Sequence, residues 1–138
     1  MSAATQPETA PLYRLGGRTF RLDDGKGRTA KHCAYLAGIW REIDAQRILS
    51  DVTISETERA ERALTRIYRS GYAFLLLSAC LVEEGKRWDR GEAERNAARF
   101  EQIVDEKEQS DMWGILGGIV FLLSRASLLL APTAARPS

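Results

Sequence analysis

The sequence predicts a mainly α protein of the α+β kind, with a small N-terminal β-hairpin followed by a bundle of about four helices. Two short alternating runs flank a pair of glycines near the N-terminus, which is typical of a hairpin. Beyond them, apolar residues recur at helical spacing through most of the chain. A chain of 138 residues is the length of one domain. We therefore expect a single domain over residues 12–130.

The hairpin is predicted over residues 12–22. Its two central glycines tolerate the positive φ of a type I′ turn, and that turn places Tyr13 opposite Phe20. In this register Tyr13, Leu15, Phe20 and Leu22 share one face. An isolated hairpin is only marginally stable. We expect its apolar face to pack on the helices or to extend the sheet of another subunit.

Four helices are predicted from the spacing of apolar residues and from glycine and proline stops. The first is amphipathic, the third has a narrow apolar stripe and charged outer faces, and the second and fourth each contain a stretch without a polar face. Such stretches are normally enclosed by protein or lipid. The predicted helices cover about 29–49, 56–84, 90–108 and 111–130.

The helix starts carry capping signals. Ser55 stands three residues before Glu58, and Asp89 stands three residues before Glu92, so each supplies a side-chain acceptor for a free backbone N–H. Ser110 is the predicted cap of the last helix. These caps place the starts of the second, third and fourth helices.

The chain ends and the composition suggest a cytoplasmic protein. Residues 1–11 and 131–138 are small, polar and proline-bearing, so we predict disordered tails. Two cysteines do not make a disulfide framework, and no basic stretch followed by an apolar run opens the chain. The net charge of +1 provides no general attraction to nucleic acid and argues against a dedicated nucleic-acid binder.

No motif in the sequence predicts catalysis, a metal or a cofactor. His32, Cys33 and Cys80 are one ligand short of the four that a structural zinc site usually takes. The run "DDGKGRT" resembles a phosphate loop but lacks the glycine and the hydroxyl residue that a Walker A motif requires. GxSxG, HExxH and paired-carboxylate arrangements do not occur. We expect a non-enzymatic protein without cofactors.

Four arginines share one face of the second helix, and such a stripe can track phosphates. Acidic residues occupy the same turns, and Glu58 stands four residues before one of the arginines, so a solvated face is the simpler interpretation. Docking to an acidic partner, or a regulatory role through this face, stays open as an alternative. The residues of this charged face are Arg59, Arg62, Arg66 and Arg69.

The last apolar run, residues 112–130, raises a membrane alternative. Its length approaches the ~20 residues of a spanning helix, and Gly114 and Gly118 have the spacing of membrane helix contacts. Arg125 interrupts the run, and the preceding flank is acidic rather than basic. A membrane-associated protein anchored by this segment is therefore the second hypothesis.

Two apolar helical blocks, 72–82 and 112–124, exceed what a chain of this size can fully bury together with the hairpin and the first helix. Large exposed apolar patches mark partner surfaces. We therefore predict an interaction protein that forms homo-oligomers or holds the hydrophobic segment of another chain. The predicted partner-binding residues are Phe74, Leu75, Trp88, Trp113, Leu116 and Val120.

One stretch resembles a known family. The run "ACLVEEGKRWDRGEAERNAARF" contains, in order, an apolar helix, a short acidic turn, a tryptophan, a capping acid and a helix of the form E-x-N-A-x-x-F. With the hairpin before it and the apolar helix after it, this order resembles the tail assembly chaperones of long-tailed, siphovirus-like bacteriophages and prophages. The matching positions are Leu81, Glu83, Gly85, Trp88, Asp89, Glu92, Asn96, Ala97 and Phe100.

The resemblance implies a non-enzymatic assembly factor in the cytoplasm of a bacterial host, absent from the finished particle. Proteins of that family oligomerise around the long, hydrophobic tape measure protein and keep it soluble. They are displaced as tail tube subunits polymerise along it. The tape measure protein is thus the implied partner, with further copies of the chain and the tail tube protein as additional contacts.

Overall fold

A computed structural model describes residues 11–23 and 28–135 of the chain, with side chains up to residue 122. Within these residues the protein is mainly α, as predicted, with six helices and one three-stranded antiparallel sheet. The elements in chain order are strands β1 (Leu12–Leu15) and β2 (Arg18–Leu22), helices α1 (Ala30–Ile43), α2 (Gln46–Leu49), α3 (Glu56–Ser70) and α4 (Ala73–Cys80), strand β3 (Leu81–Glu83), and helices α5 (Arg90–Glu101) and α6 (Glu106–Ala135).

The predicted hairpin is confirmed in its register. Tyr13 pairs with Phe20 across the strands, and the two turn glycines have φ values of 60° and 81°. Leu15 and Phe20 are almost fully buried, and the Phe20 ring meets the edge of Phe100 at a centroid distance of 5.2 Å. The hairpin therefore packs on the helices of its own chain.

Strand β3 was not predicted. Residues 81–83 pair antiparallel with β2, so that Leu81 lies opposite Leu22 and Glu83 opposite Phe20. The sequence indicated one helix over 56–84, and the last part of that prediction is wrong. The run from Leu76 to Val82 is apolar on all sides, and periodicity does not separate a buried helix from a buried strand in such a run.

The predicted helix 56–84 also divides at Gly71, and the first predicted helix divides at Asp44. Gly71 has φ +83° and ends α3, while Asp44 has φ +58° and ends α1. Both residue types adopt the left-handed conformation that terminates helices. The short helix α2 follows directly after α1.

The last two helices start and end differently from the prediction. Helix α5 ends at residue 101 rather than 108, because Asp105 begins the next helix: its carboxylate accepts the backbone N–H of Glu108 at 3.0 Å. Ser110 is therefore an interior residue of α6 and not its cap. The backbone of α6 continues past the predicted end at residue 130 to Ala135. The other two predicted caps, Ser55 and Asp89, are confirmed.

Helix α4 is the centre of the hydrophobic core. Leu76 and Leu77 are fully buried, and the helix contacts α1, α3, α5 and α6. Replacing a leucine in such a position by alanine typically costs about 2 to 5 kcal/mol. The core thus consists of α4 surrounded by the other helices and the inner face of the sheet.

The predicted terminal tails lie outside the described residues, except for residue 11 and the stretch 131–135 within α6.

Candidate functional site

An open groove lies between helices α4, α5 and α6, beside the end of α3. It consists of two adjoining cavities of about 420 and 340 Å³ that share Tyr68, Ala73, Phe74 and Glu101. Its floor is apolar and includes Phe100, Met112 and Leu116, while Tyr68, Phe74 and Trp113 line its edge. We call this feature the aromatic groove.

The chain break at Gly71 positions the aromatic edge. Tyr68 lies in the last turn of α3, and Phe74 lies in the first turn of α4, on the other side of the break. Trp113 approaches from α6, with its ring centroid 5.1 Å from that of Tyr68. Tyr68 is 56% exposed and Trp113 is 44% exposed, so the pair meets solvent although the rings contact each other. Large aromatic side chains in this setting are typical contact points for partners.

Acidic side chains flank the apolar floor. Glu94 and Glu101, both on α5, line the groove. Glu94 lies 3.3 Å from the Arg90 guanidinium, one turn earlier on the same helix. A partner segment with basic residues beside its apolar ones would complement this side of the groove.

The structure brings some of the predicted partner-binding residues together and separates others. Phe74, Leu75 and Trp113 line the aromatic groove and are at least partly exposed. Leu116 is only 4% exposed and forms part of the floor, and Val120 is 2% exposed within the core cluster. Burial against the other helices therefore gives Leu116 and Val120 a packing role in the folded chain.

Trp88 lies elsewhere, and its interactions are within its own chain. Its ring stacks on His32 at a centroid distance of 3.9 Å, and its Nε1–H donates to the backbone carbonyl of Ser78 at 3.3 Å. The imidazole of His32 is buried, and its Nε2 lies 2.7 Å from the carbonyl oxygen of Ala79. A carbonyl oxygen only accepts, so Nε2 carries the proton. The stacked rings and their two hydrogen bonds connect the start of α1 to the end of α4.

The cysteines have contrasting environments. Cys33 is exposed, whereas Cys80 is buried, and this burial raises the pKa of the Cys80 thiol to about 12. A thiol with such a pKa remains protonated and is a poor nucleophile near neutral pH. Among residues 11–23 and 28–122, no cluster of three or more His, Cys, Asp or Glu side chains has an arrangement that could hold a metal ion.

The predicted charged face is engaged largely within the chain. Arg59 donates to the backbone carbonyls of Asp51 and Ile54, each at 2.9 Å. Arg66 donates to the carbonyl of Ile43 at 2.8 Å, at the end of α1, and Arg62 pairs with Glu58 on its own helix. Arg69 is exposed. Three of the four arginines therefore donate to backbone carbonyls or pair with an acid.

Helix α6 contains the whole segment 112–130 that the sequence suggested as a membrane anchor. The side chains of residues 123–130 lie outside the described part. In the portion of the chain that the structure describes, no helix combines the length and the apolar character needed to cross a bilayer.

Several groove residues were not selected from the sequence, among them Tyr68 and Glu101. Tyr68 was part of a helix predicted to continue through Gly71, and Glu101 was one of many acids on a charged helix. Gly71 was the available signal in the sequence, because glycine readily adopts the positive φ that ends α3 beside the groove.

Comparison of the chain with protein-family models, with curated proteins and with solved structures found no match.

Proposed function

We propose that this chain is a non-enzymatic binding protein of the tail assembly chaperone type, which holds apolar helical segments of a phage tape measure protein in the aromatic groove. The single observation that carries the proposal is the partly exposed aromatic edge over an apolar floor. The resemblance of residues 80–100 to that family supplies the name of the client. We place the protein in the cytoplasm of a bacterial host, where the tape measure protein would be made.

The groove suits a helix better than a small ligand. It is an open channel between helices, with apolar side chains from three of them along its length. An amphipathic helix binds such a channel by inserting residues spaced at i, i+3, i+4 and i+7. A client helix would cover the rings of Tyr68 and Trp113, and burial of apolar surface contributes roughly 25 cal/mol per Å² before association costs.

The charges around the groove suit a protein that must keep a hydrophobic client soluble. The exposed sides of α5 carry ion pairs between Arg90 and Glu94 at 3.3 Å and between Arg95 and Glu92 at 2.8 Å. Exposed pairs of this kind contribute little to folding. They do keep a charged surface beside the bound client, which opposes aggregation of the complex.

Self-association is part of the proposal. Beyond the groove, α6 presents Phe121 at 53% exposure and Leu122 at 47%. Exposed apolar side chains next to a client groove favour several copies of the chain along one long client. Tail tube subunits would then displace these copies as they polymerise on the tape measure protein.

Co-expression with a fragment of a tape measure protein tests the proposal. We expect the chain to raise the soluble yield of the fragment and to co-purify with it. Trp113→Glu places a charge at the aromatic edge and should abolish both effects. Val52→Glu is the matched control, because Val52 is 85% exposed in the loop after α2 and does not line the groove.

Circular dichroism and the unfolding temperature establish that both variants are folded. The proposal requires a large difference between Trp113→Glu and Val52→Glu at equal stability. An unchanged soluble yield with the unmodified chain, or equal loss in both variants, would reject it.

A further inference from the structure

A second cleft, separate from the aromatic groove, lies on the other face of the sheet. It has a volume of about 400 Å³, and its lining includes Arg21, Arg28, Lys86 and Arg87 against one carboxylate, that of Asp23. Arg21 lies directly across the strands from Val82, which is buried beneath the cleft. Because Phe20 points into the core, its neighbour Arg21 points away from it. We call this feature the basic cleft.

The positive charge of the basic cleft is only partly neutralised. Arg28 forms an ion pair with Asp23, and Lys86 lies 3.4 Å from Glu83. Although burial alone would lower the pKa of Arg28, the hydrogen bond and charge of Asp23 outweigh it and raise this pKa. Within residues 11–23 and 28–122, Arg21 and Arg87 take part in no ion pair. The exposed guanidinium groups of Arg21 and Arg87 are therefore available to bind a ligand.

Helix α1 adds positive electrostatic potential to the basic cleft. Thr29, its N-cap, lines the cleft, and the side chain of Thr29 accepts the backbone N–H of His32 at 3.1 Å. The N-terminal end of a helix carries a partial positive charge. The cleft therefore combines side-chain cations from β2 and from the turn after β3 with the positive end of a helix of fourteen residues.

We propose that the basic cleft binds a small phosphate-bearing anion with at least two negative charges. Guanidinium groups match phosphate oxygens with paired N–H donors, and two such groups in the lining of one cleft favour a ligand with more than one anionic group. The volume of about 400 Å³ exceeds the needs of a single carboxylate. The described part of the site is formed mainly by side chains, and the sequence contains no Walker A pattern.

Isothermal titration of the full chain with inorganic pyrophosphate tests the proposal. We expect saturable binding with one site per chain, weakened as salt is raised. Arg21→Glu and Arg87→Glu should each weaken binding about tenfold or more, as expected for loss of a charge-assisted hydrogen bond. Arg69→Glu is the matched control: it makes the same change of charge at an exposed arginine on α3, outside the cleft.

A parallel titration with ADP identifies the source of the phosphate. Tighter binding of ADP than of pyrophosphate supports a nucleotide ligand, and equal binding supports recognition of the phosphates alone. Equal weakening by all three variants would show a general charge effect and overturn the proposal, as would an acidic peptide that binds where pyrophosphate does not. Arg21→Glu and Arg87→Glu should leave the soluble yield of the tape measure fragment unchanged, so the two proposals fail independently.

Discussion

The rings of His32 and Trp88 are parallel to within 2°, with centroids 3.9 Å apart. This stack joins the first turn of α1 to the segment before α5, and both residues also bond to consecutive backbone carbonyls at the end of α4. Tyr35 contacts the same indole at 5.4 Å. Three parts of the chain that are distant in sequence therefore depend on one aromatic contact.

Loss of the Trp88 ring should destabilise the fold. We expect Trp88→Ala to lower the free energy of unfolding by about 2 to 3 kcal/mol, less than the ~3 to 5 kcal/mol of a fully buried tryptophan, because Trp88 is only partly buried. Trp88→Phe keeps an aromatic ring and loses the bond to Ser78, and should cost about 1 kcal/mol. Urea denaturation measures both. Normal stability of Trp88→Ala would contradict this role.

Two glycines should respond to alanine with opposite signs. Gly71 has φ +83°, so Gly71→Ala forces a side chain into the left-handed region and should cost about 1 to 2 kcal/mol. Gly38 lies inside α1, and an added Cβ there meets nothing within 4 Å. Gly38→Ala should therefore stabilise the protein by up to about 1 kcal/mol. Thermal unfolding of the two variants gives the comparison, and a shift of the same sign in both would count against it.

The contact between α3 and the end of α1 depends on Arg66. Its Nε donates to the Ile43 carbonyl at 2.8 Å, and its guanidinium lies 3.6 Å from Asp44. Arg66→Met keeps much of the aliphatic stem and removes these bonds, so we expect a loss of about 1 kcal/mol. Arg69→Met, on the same helix, should change stability by less than about 0.5 kcal/mol. Equal chemical denaturation curves for both variants would contradict the assignment.

The two thiols should react at very different rates. Cys33 is exposed and Cys80 is buried. A thiol reagent should modify Cys33 in the folded protein and reach Cys80 only after unfolding, because reactivity requires an accessible thiolate. Mass spectrometry of the labelled peptides identifies the site. Rapid labelling of Cys80 in Cys33→Ser under native conditions would show that the α4 core opens easily.

Stability should fall at alkaline pH through Cys80. Its pKa is raised from 9.0 to about 12 by burial, so the unfolded chain loses the thiol proton first as pH rises. The protonated Cys80 thiol makes its full contribution to stability below pH 9, and this contribution is lost towards pH 12. The free energy of unfolding should fall over this range by up to about 1.4 kcal/mol per pH unit. The free energy of unfolding of the unmodified chain should fall more steeply in this range than that of Cys80→Ala. Equal pH dependence of the unmodified chain and Cys80→Ala would argue against a raised pKa of Cys80.

Local chemistry explains why part of the fold was predictable. The turn glycines determine the register of Tyr13 and Phe20, and Ser55 and Asp89 act through residues three positions away. These relationships are short-range, so the sequence contains them directly. Ser110 shows where such short-range prediction fails. Asp105, five residues earlier in the chain, caps α6, and Ser110 lies inside the helix.

The candidate site was predictable only in part, because it is made by tertiary packing. Phe74 and Trp113 were identified as partner-binding residues from their apolar surroundings, and both line the aromatic groove. The same pattern also selected Leu116 and Val120, which packing buries. Helical spacing indicates an apolar face, but it does not indicate which part of that face a neighbouring helix covers. Trp88 was selected for the same reason and contacts His32 instead.

The pairing of β3 with β2 has a consequence during synthesis. Arg18 and Glu83, joined across these strands, are 65 positions apart, so the hairpin emerges from the ribosome long before its third strand. Until then the outer edge of β2 presents unpaired backbone groups, which are a template for pairing with another nascent chain. The arginines at positions 18 and 21 of that edge place positive charge there on every copy, and their mutual repulsion would disfavour strand exchange between neighbouring chains on one polysome.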